Sequence, residues 1–239
     1  MRHVKLGVNI DHIATLRQAR MEKNPDTVEA ARVVYSSGGD MVVMHLRQDR
    51  RHVQDADLER VRQDVKGNLH LEIAAIPEME KIALRIRPDS VCLVPESPKE
   101  VTTQGGLKLD GRSKELEKTI KNLSAAGIEV DVFCDPEPQA IRAAHNMGAD
   151  GIELCTSKYS EAWGNKLQAK ELEKLQLASF LVKELKMQLH SGHGLDYYNV
   201  APVARIEGMD CLNIGFSIIS RAMFVGLKNA VAEMKRLIQ

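Results

Sequence analysis

LGVNIDHIATLRQAR, residues 6–20, sets a short, nearly all-apolar run against Asn9, Asp11 and His12, side chains able to do chemistry, at the point where the run ends. The same juxtaposition recurs along the 239 residues. Short apolar runs at 6–10, 41–45, 69–73, 90–94, 129–133, 151–154, 187–191 and 211–214 read as strands covered on both faces. Amphipathic stretches separate them: 28–35 after Asp26, 58–65 after Asp55, 79–86 after Pro77, 140–147 after Pro138, then 114–126, 167–185, 200–206 and 217–237. Such alternation builds a parallel α/β sheet, either an open doubly wound sheet or a barrel. The polar residues decide between them. Asn9 and Asp11, His45 and Arg47, Glu72, Asp135, Glu153, His193 and Gly215 all lie at or just past strand C-termini, which converge on one face only in a barrel. The expectation is a (β/α)8 TIM barrel as a single domain over residues 1–239, with extra short helices and no internal repeat beyond the βα unit.

Composition narrows the function. Thirty-three Lys and Arg balance 33 Asp and Glu, so no global field holds a nucleic acid or an anionic membrane, and any anion recognition is local. No apolar run approaches the ~20 residues of a membrane span, and Met1 runs straight into the first strand, so the expected location is cytoplasmic. The four cysteines, Cys92, Cys134, Cys155 and Cys211, form no CxxC pair and read as reduced core residues rather than zinc ligands.

Alternation of side chains along the first strand points Asn9 and Asp11 the same way, with His12 beside them; a local Asx turn explains the same residues equally well. In VVMHLRQDRRH (42–52), His45 and Arg47 emerge directly from a strand and suit proton transfer and phosphate binding, whereas Arg50 and Arg51 read as a solvated loop. Glu72 in NLHLEIAAIP is a carboxylate inside an apolar strand, where burial raises its pKa and fits it for acid/base work. An interior ion pair is the bland alternative. Glu153 in ADGIELCT occupies a comparable place.

In HSGHGLDYYN, Gly192 and Gly194 flank His193, and Gly215 in LNIGFSIISRA opens the last helix. Loops after strands seven and eight are the usual phosphate site of a barrel, although strand-to-helix turns call for glycine anyway. VPESPKEVTTQGGLKLDG (94–111), with Gly105 and Gly106 as hinges, reads as a lid.

GVNIDHIATLRQAR, HLRQDRRH, LEIA, CLVPE with EVTTQGGL, SGHGL, and LNIG followed by ISRA occur in one order over nearly the whole chain, and together they resemble the pyridoxine 5'-phosphate synthase family. The resemblance implies condensation of 1-deoxy-D-xylulose 5-phosphate with 3-amino-2-oxopropyl phosphate to pyridoxine 5'-phosphate, inorganic phosphate and water. It implies no metal and no cofactor. By the family's motifs, His45 and Glu72 are proton acceptors, His193 a proton donor and Glu153 a stabiliser of transition-state charge. Asn9, Gly194, Gly215 and Phe216 hold the amino-ketone phosphate. Asp11, His12, Arg47, His52 and Thr102 hold the deoxyxylulose phosphate, Arg20 is a further phosphate contact, and the assembly is a homo-oligomer, an octamer. Phe216 stands where the family commonly has histidine, and His190 and Cys155 also depart from its pattern. Two other readings compete: a metal-dependent sugar-phosphate aldolase or epimerase with His45, Glu72 and His193 as ligands, and a barrel that binds sugar phosphates without turnover.

Overall fold

Eight parallel strands pair in chain order, and the last pairs with the first, closing a barrel. The structure is a computed structural model that describes residues 3–96, 105–109 and 114–239. The strands are β1 (Lys5–Asn9), β2 (Met41–His45), β3 (Asn68–Ile73), β4 (Ser90–Leu93), β5 (Glu129–Cys134), β6 (Gly151–Cys155), β7 (Gln188–Gly192) and β8 (Cys211–Ile214). All eight fall within a residue or so of the runs read from the sequence.

The helices around them are α1 (Asp11–Arg20), α2 (Thr27–Ser36), α3 (Asp55–Asp64), α4 (Pro77–Ile86), α5 (Lys114–Ala125), α6 (Pro138–Met147), α7 (Ser157–Glu161), α8 (Gln168–Glu184), α9 (Val200–Ala204), α10 (Phe216–Val225) and α11 (Leu227–Leu237). The Asp26 carboxylate caps α2 by accepting from Val28 N–H, and Pro77 and Pro138 open α4 and α6. The sequence reading differs in two places. It left 11–20 unassigned, whereas α1 forms there, and it ran one helix through 217–237, whereas Gly226, at φ 79°, separates α10 from α11.

The main apolar core lies between the sheet and the helices, where Leu6, Met44, Leu71, Leu93 and Ile120 are fully buried. Inside the barrel, apolar residues among the described ones form two small groups, Cys92, Val94, Phe133 and Cys155 in one and Met41, Val43 and Cys211 in the other. The rest of that interior is polar: His70, Asp131, Glu153, His190 and Asn213 are all buried there. The four cysteines are free and buried.

One repeat escaped the sequence reading. Asp40, Asp89, Asp150 and Asp210 each stand immediately before an even-numbered strand. Their carboxylates accept the N–H of Leu6, Leu69, Val130 and Leu189 on the preceding odd strand at 2.7, 2.8, 2.9 and 3.0 Å. Each aspartate's own N–H returns to the carbonyl of the same residue, so four two-bond clasps tie the strands in pairs at the N-terminal end of the barrel. Lys235 of α11 adds an ion pair to Asp40 at 2.5 Å and a hydrogen bond to the Val4 carbonyl.

Candidate active site

The C-terminal ends of the strands enclose a cavity of about 330 Å³, within the size range of small-molecule sites. Asn9, Asp11, His12, His45, Arg47, His52, Glu72, Glu153, His193, Gly194, Gly215 and Phe216 all line it.

Register builds its first wall. His45 lies opposite Glu72 on β3, which brings imidazole Nδ1 to 3.6 Å from Glu72 Oε2. The other ring nitrogen, Nε2, is 3.0 Å from Glu96 Oε1, and Glu96 Oε2 accepts from the Gln48 N–H at 3.0 Å. Asp11 Oδ1 accepts the backbone N–H of His45 at 2.8 Å, pinning the end of β2 to the start of α1. Asn9 Oδ1 accepts from Asp11 N–H at 2.9 Å, so the local Asx turn and the place in the cavity coexist.

The opposite wall is β6 to β8. Asn213 Nδ2 donates to Glu153 Oε2 at 2.8 Å. A Cβ at position 192 would lie 2.3 Å from Glu153 Oε1, so only glycine leaves room for this carboxylate. His193 and Gly194 then follow in left-handed backbone, both at φ 80°. For a histidine that conformation costs on the order of 1 kcal/mol. It is held by Thr156, whose hydroxyl donates to the carbonyls of Gly192 and His193 at 2.7 and 2.6 Å. Gly215 leads into α10, and both Gly215 and Phe216, the first residue of that helix, line the cavity.

Electrostatics divides the carboxylates. Burial, reinforced by the charges of Glu153 and Asp11, holds the Glu72 carboxyl well above the usual range. Burial also raises Glu153, against a hydrogen bond from Asn213 that favours ionisation. Burial opposes ionisation of Glu96 too, but hydrogen bonds from His45 and the Gln48 N–H outweigh it and leave this carboxyl below its ordinary value. Burial pushes both His52 and His193 down, toward the neutral ring. His52 Nδ1 accepts from Val53 N–H at 2.8 Å, which leaves the His52 proton on Nε2.

Arg47 is buried beside His45, with Nε 3.5 Å from Asp49 Oδ1. Arg50 pairs with Asp55 and Glu78, and Arg51 with Asp49, away from the cavity lining. The Phe216 ring packs edge-on against His12, centroids 5.3 Å apart. Arg20 does not join the others: it is exposed at the far end of α1, a ten-residue helix about 15 Å long, while Asp11 at the near end lines the cavity. Thr102 lies outside the described residues, as does most of the segment read as a lid. Gly106 is packed so tightly that a Cβ would come within 2.1 Å of Asp135 N. Asp135 itself accepts from Gly106 N–H and Lys158 rather than lining the cavity.

Two residues that matter here were missed. Glu96 follows a proline just beyond β4 and looks like loop, and Asn213 hides in the apolar CLNI, though a lone amide in a barrel strand was the signal for it. Two groups among the described residues are close enough to share a cation, with candidate atoms within 4.8 Å of one another: Asp11, His45 and Glu72, and His70, Cys92 and Glu153. His193 belongs to neither.

Comparison with known proteins agrees with this architecture. A family profile described as pyridoxal phosphate biosynthesis protein PdxJ matches residues 6–239. A pyridoxine 5'-phosphate synthase of Elusimicrobium minutum (strain Pei191) is 51% identical over 237 residues, 99% of this chain and 98% of its own. One of Synechococcus sp. (strain JA-2-3B'a(2-13)) is 50% identical over 233 residues, 98% of each. Among solved structures, thiamine phosphate pyrophosphorylase from Pyrococcus furiosus superposes with a TM-score of 0.61 over 98% of this chain and 95% of that one; at 15% identity the likeness is one of fold. With a family profile and half-identical relatives matching end to end, the chain belongs to the pyridoxal phosphate biosynthesis protein PdxJ family.

Proposed function

We propose that the chain is a pyridoxine 5'-phosphate synthase, condensing 1-deoxy-D-xylulose 5-phosphate with 3-amino-2-oxopropyl phosphate and releasing inorganic phosphate and water. One observation carries the reading. A chain sharing half its residues, over its whole length, with enzymes of that name gathers His45, Glu72, Glu153 and His193 around a single cavity.

The chemistry calls for such a set. Imine formation, loss of water, elimination of phosphate and ring closure each move protons, so several acid/base groups must reach one pocket. In this reading His45 and Glu72 accept protons. A carboxyl whose pKa is raised is the stronger base once ionised, so it accepts a proton more readily than an ordinary glutamate would. His193 donates, and the dianionic phosphate bound beside it at Gly194 and Gly215 counters the burial that favours its neutral ring. Glu153, fixed by Asn213, stabilises positive charge that develops on the condensing nitrogen. Arg47, Asp11, His12 and His52 bind the deoxyxylulose phosphate, with Thr102 as a further contact. Asn9, Gly194, Gly215 and the Phe216 N–H bind the amino-ketone phosphate; the Phe216 ring supplies no hydrogen bond.

Arg20 acts in this scheme from a neighbouring copy in a cytoplasmic homo-octamer. Its distance from its own cavity supports that, as do the exposed apolar side chains Met21, Leu177, Phe180, Met223 and Phe224. No helix among the described residues is long and apolar enough to cross a membrane.

The test is to incubate purified protein with both substrates and follow pyridine absorbance and released phosphate. Their appearance together supports the synthase. Binding of both phosphates without release would favour the non-catalytic barrel. Turnover abolished by chelator and restored by a divalent metal would favour the aldolase or epimerase, for which Asp11, His45 and Glu72 are close enough to serve as ligands.

A further inference from the structure

We propose that Glu96 is a positioning residue of this reaction: by accepting the Nε2 proton of His45 it fixes the imidazole in one tautomer and turns the Nδ1 lone pair toward Glu72 and the cavity. The inference rests on the synthase reading for its kinetic consequences, but the tautomer is a property of the protein itself.

The geometry offers His45 two carboxylates, one on each nitrogen. Nε2 lies 3.0 Å from Glu96 Oε1, a hydrogen-bond distance, whereas Nδ1 lies 3.6 Å from Glu72 Oε2, too long for one. The Glu96 side chain is 4% exposed, and its second oxygen already accepts from Gln48 N–H. A carboxyl is ordinarily a stronger acid than an imidazolium, and Glu96 already takes the Gln48 N–H on one oxygen, so in the 3.0 Å contact it is the acceptor and the proton sits on Nε2. The opposite displacement of the two carboxyls agrees: hydrogen bonds from His45 and the Gln48 N–H hold Glu96 below its ordinary value, while burial and neighbouring negative charge raise Glu72. Nδ1 is then a lone pair with no hydrogen bond to Glu72, in reach of that carboxyl and of a substrate atom. The backbone of His45, held by Asp11, leaves ring rotation as the remaining freedom, and Glu96 removes it.

Glu96→Gln is a sharp probe. A single amide oxygen cannot serve both Gln48 N–H and His45 Nε2–H. If the oxygen keeps Gln48, the amide NH2 faces Nε2 and drives the ring to the Nδ1–H tautomer. The experiment labels histidine with 15N, assigns His45 by the signal lost in His45→Gln, and reads its tautomer from the ring nitrogen shifts in wild type and Glu96→Gln. Steady-state kinetics with both substrates are run in parallel. The expected result is Nε2–H in wild type, a shift toward Nδ1–H in the variant, and kcat lower by about 10²-fold with each KM within about threefold. Glu96→Ala should lose kcat similarly and recover part of it with added formate, a rescue that a purely structural role would not give. A wild-type His45 protonated on Nδ1 overturns the proposal even if the variants fail to fold, and so does full kcat in Glu96→Gln. Wild type that makes no pyridine product refutes the synthase reading while leaving the tautomer result to stand alone.

Discussion

Glu72 and Glu96 face one imidazole and are displaced in opposite directions, because burial and then neighbouring carboxylates raise Glu72, whereas hydrogen bonds with His45 and the Gln48 N–H outweigh burial at Glu96. This contrast makes Glu72→Gln informative. The amide still hydrogen-bonds but no longer accepts a proton, so we expect both phosphates to bind with unchanged affinity by calorimetry while kcat falls by roughly 10²–10⁴-fold. Unaltered turnover in that variant would assign the base elsewhere. At this scale the sequence was most readable where a polar residue interrupts an apolar strand, as at His45, Glu72 and Glu153. It was least readable where the partner comes from a different unit, since nothing local in VPE announces that Glu96 reaches back across β3 to His45. Nor does local spacing show that Arg20 is exposed at the end of α1 opposite Asp11, outside the cavity lining.

Among the elements, the strands were legible because burial on both faces leaves an unmistakable apolar signature. Helix α1 was not, because residues 11–20 carry few apolar side chains and owe their place to tertiary contacts. Arg17 is buried against Asp57, with nitrogens 2.5 and 2.7 Å from its two oxygens, and Thr27 completes the group at 3.1 Å. The break at Gly226 was equally silent, since apolar spacing continues across it. The aspartate clasps are the features of this scale most open to test. Asp150→Ala leaves the buried Val130 N–H without its side-chain partner, and we expect a loss of roughly 1–3 kcal/mol in urea unfolding. Asp150→Asn, which retains an acceptor oxygen, should recover most of it. Equal stability of the alanine variant and wild type would show that the clasp is incidental.

For the molecule as a whole, the closed barrel was readable from the convergence of reactive residues at strand ends, but its polar interior was not, because interior and exterior positions of a doubly covered strand look alike in sequence. His70 shows the energetic result. It is fully buried with Nδ1 2.6 Å from Ser90 Oγ, and burial pushes its pKa down to about 4. In the unfolded chain the ring protonates near 6.5, so its contribution to stability is intact above that pH and is lost as pH falls toward 4, on the order of 3 kcal/mol in all. Unfolding free energies at pH 7 and 4.5 should therefore fall less in His70→Asn than in wild type, and parallel losses would contradict this. The four clasps bear on the molecule's plan as well. Because each joins an odd strand to the even strand after it, the barrel divides into quarters, and the turns at Lys66, Gly127 and Lys186 run between quarters without crossing a clasp. His3 and Gln239 come within 3.5 Å of one another at the remaining boundary, so a cut at Gly127 would fall at an equivalent seam, whereas a cut between α4 and β4 would sever a quarter through its middle.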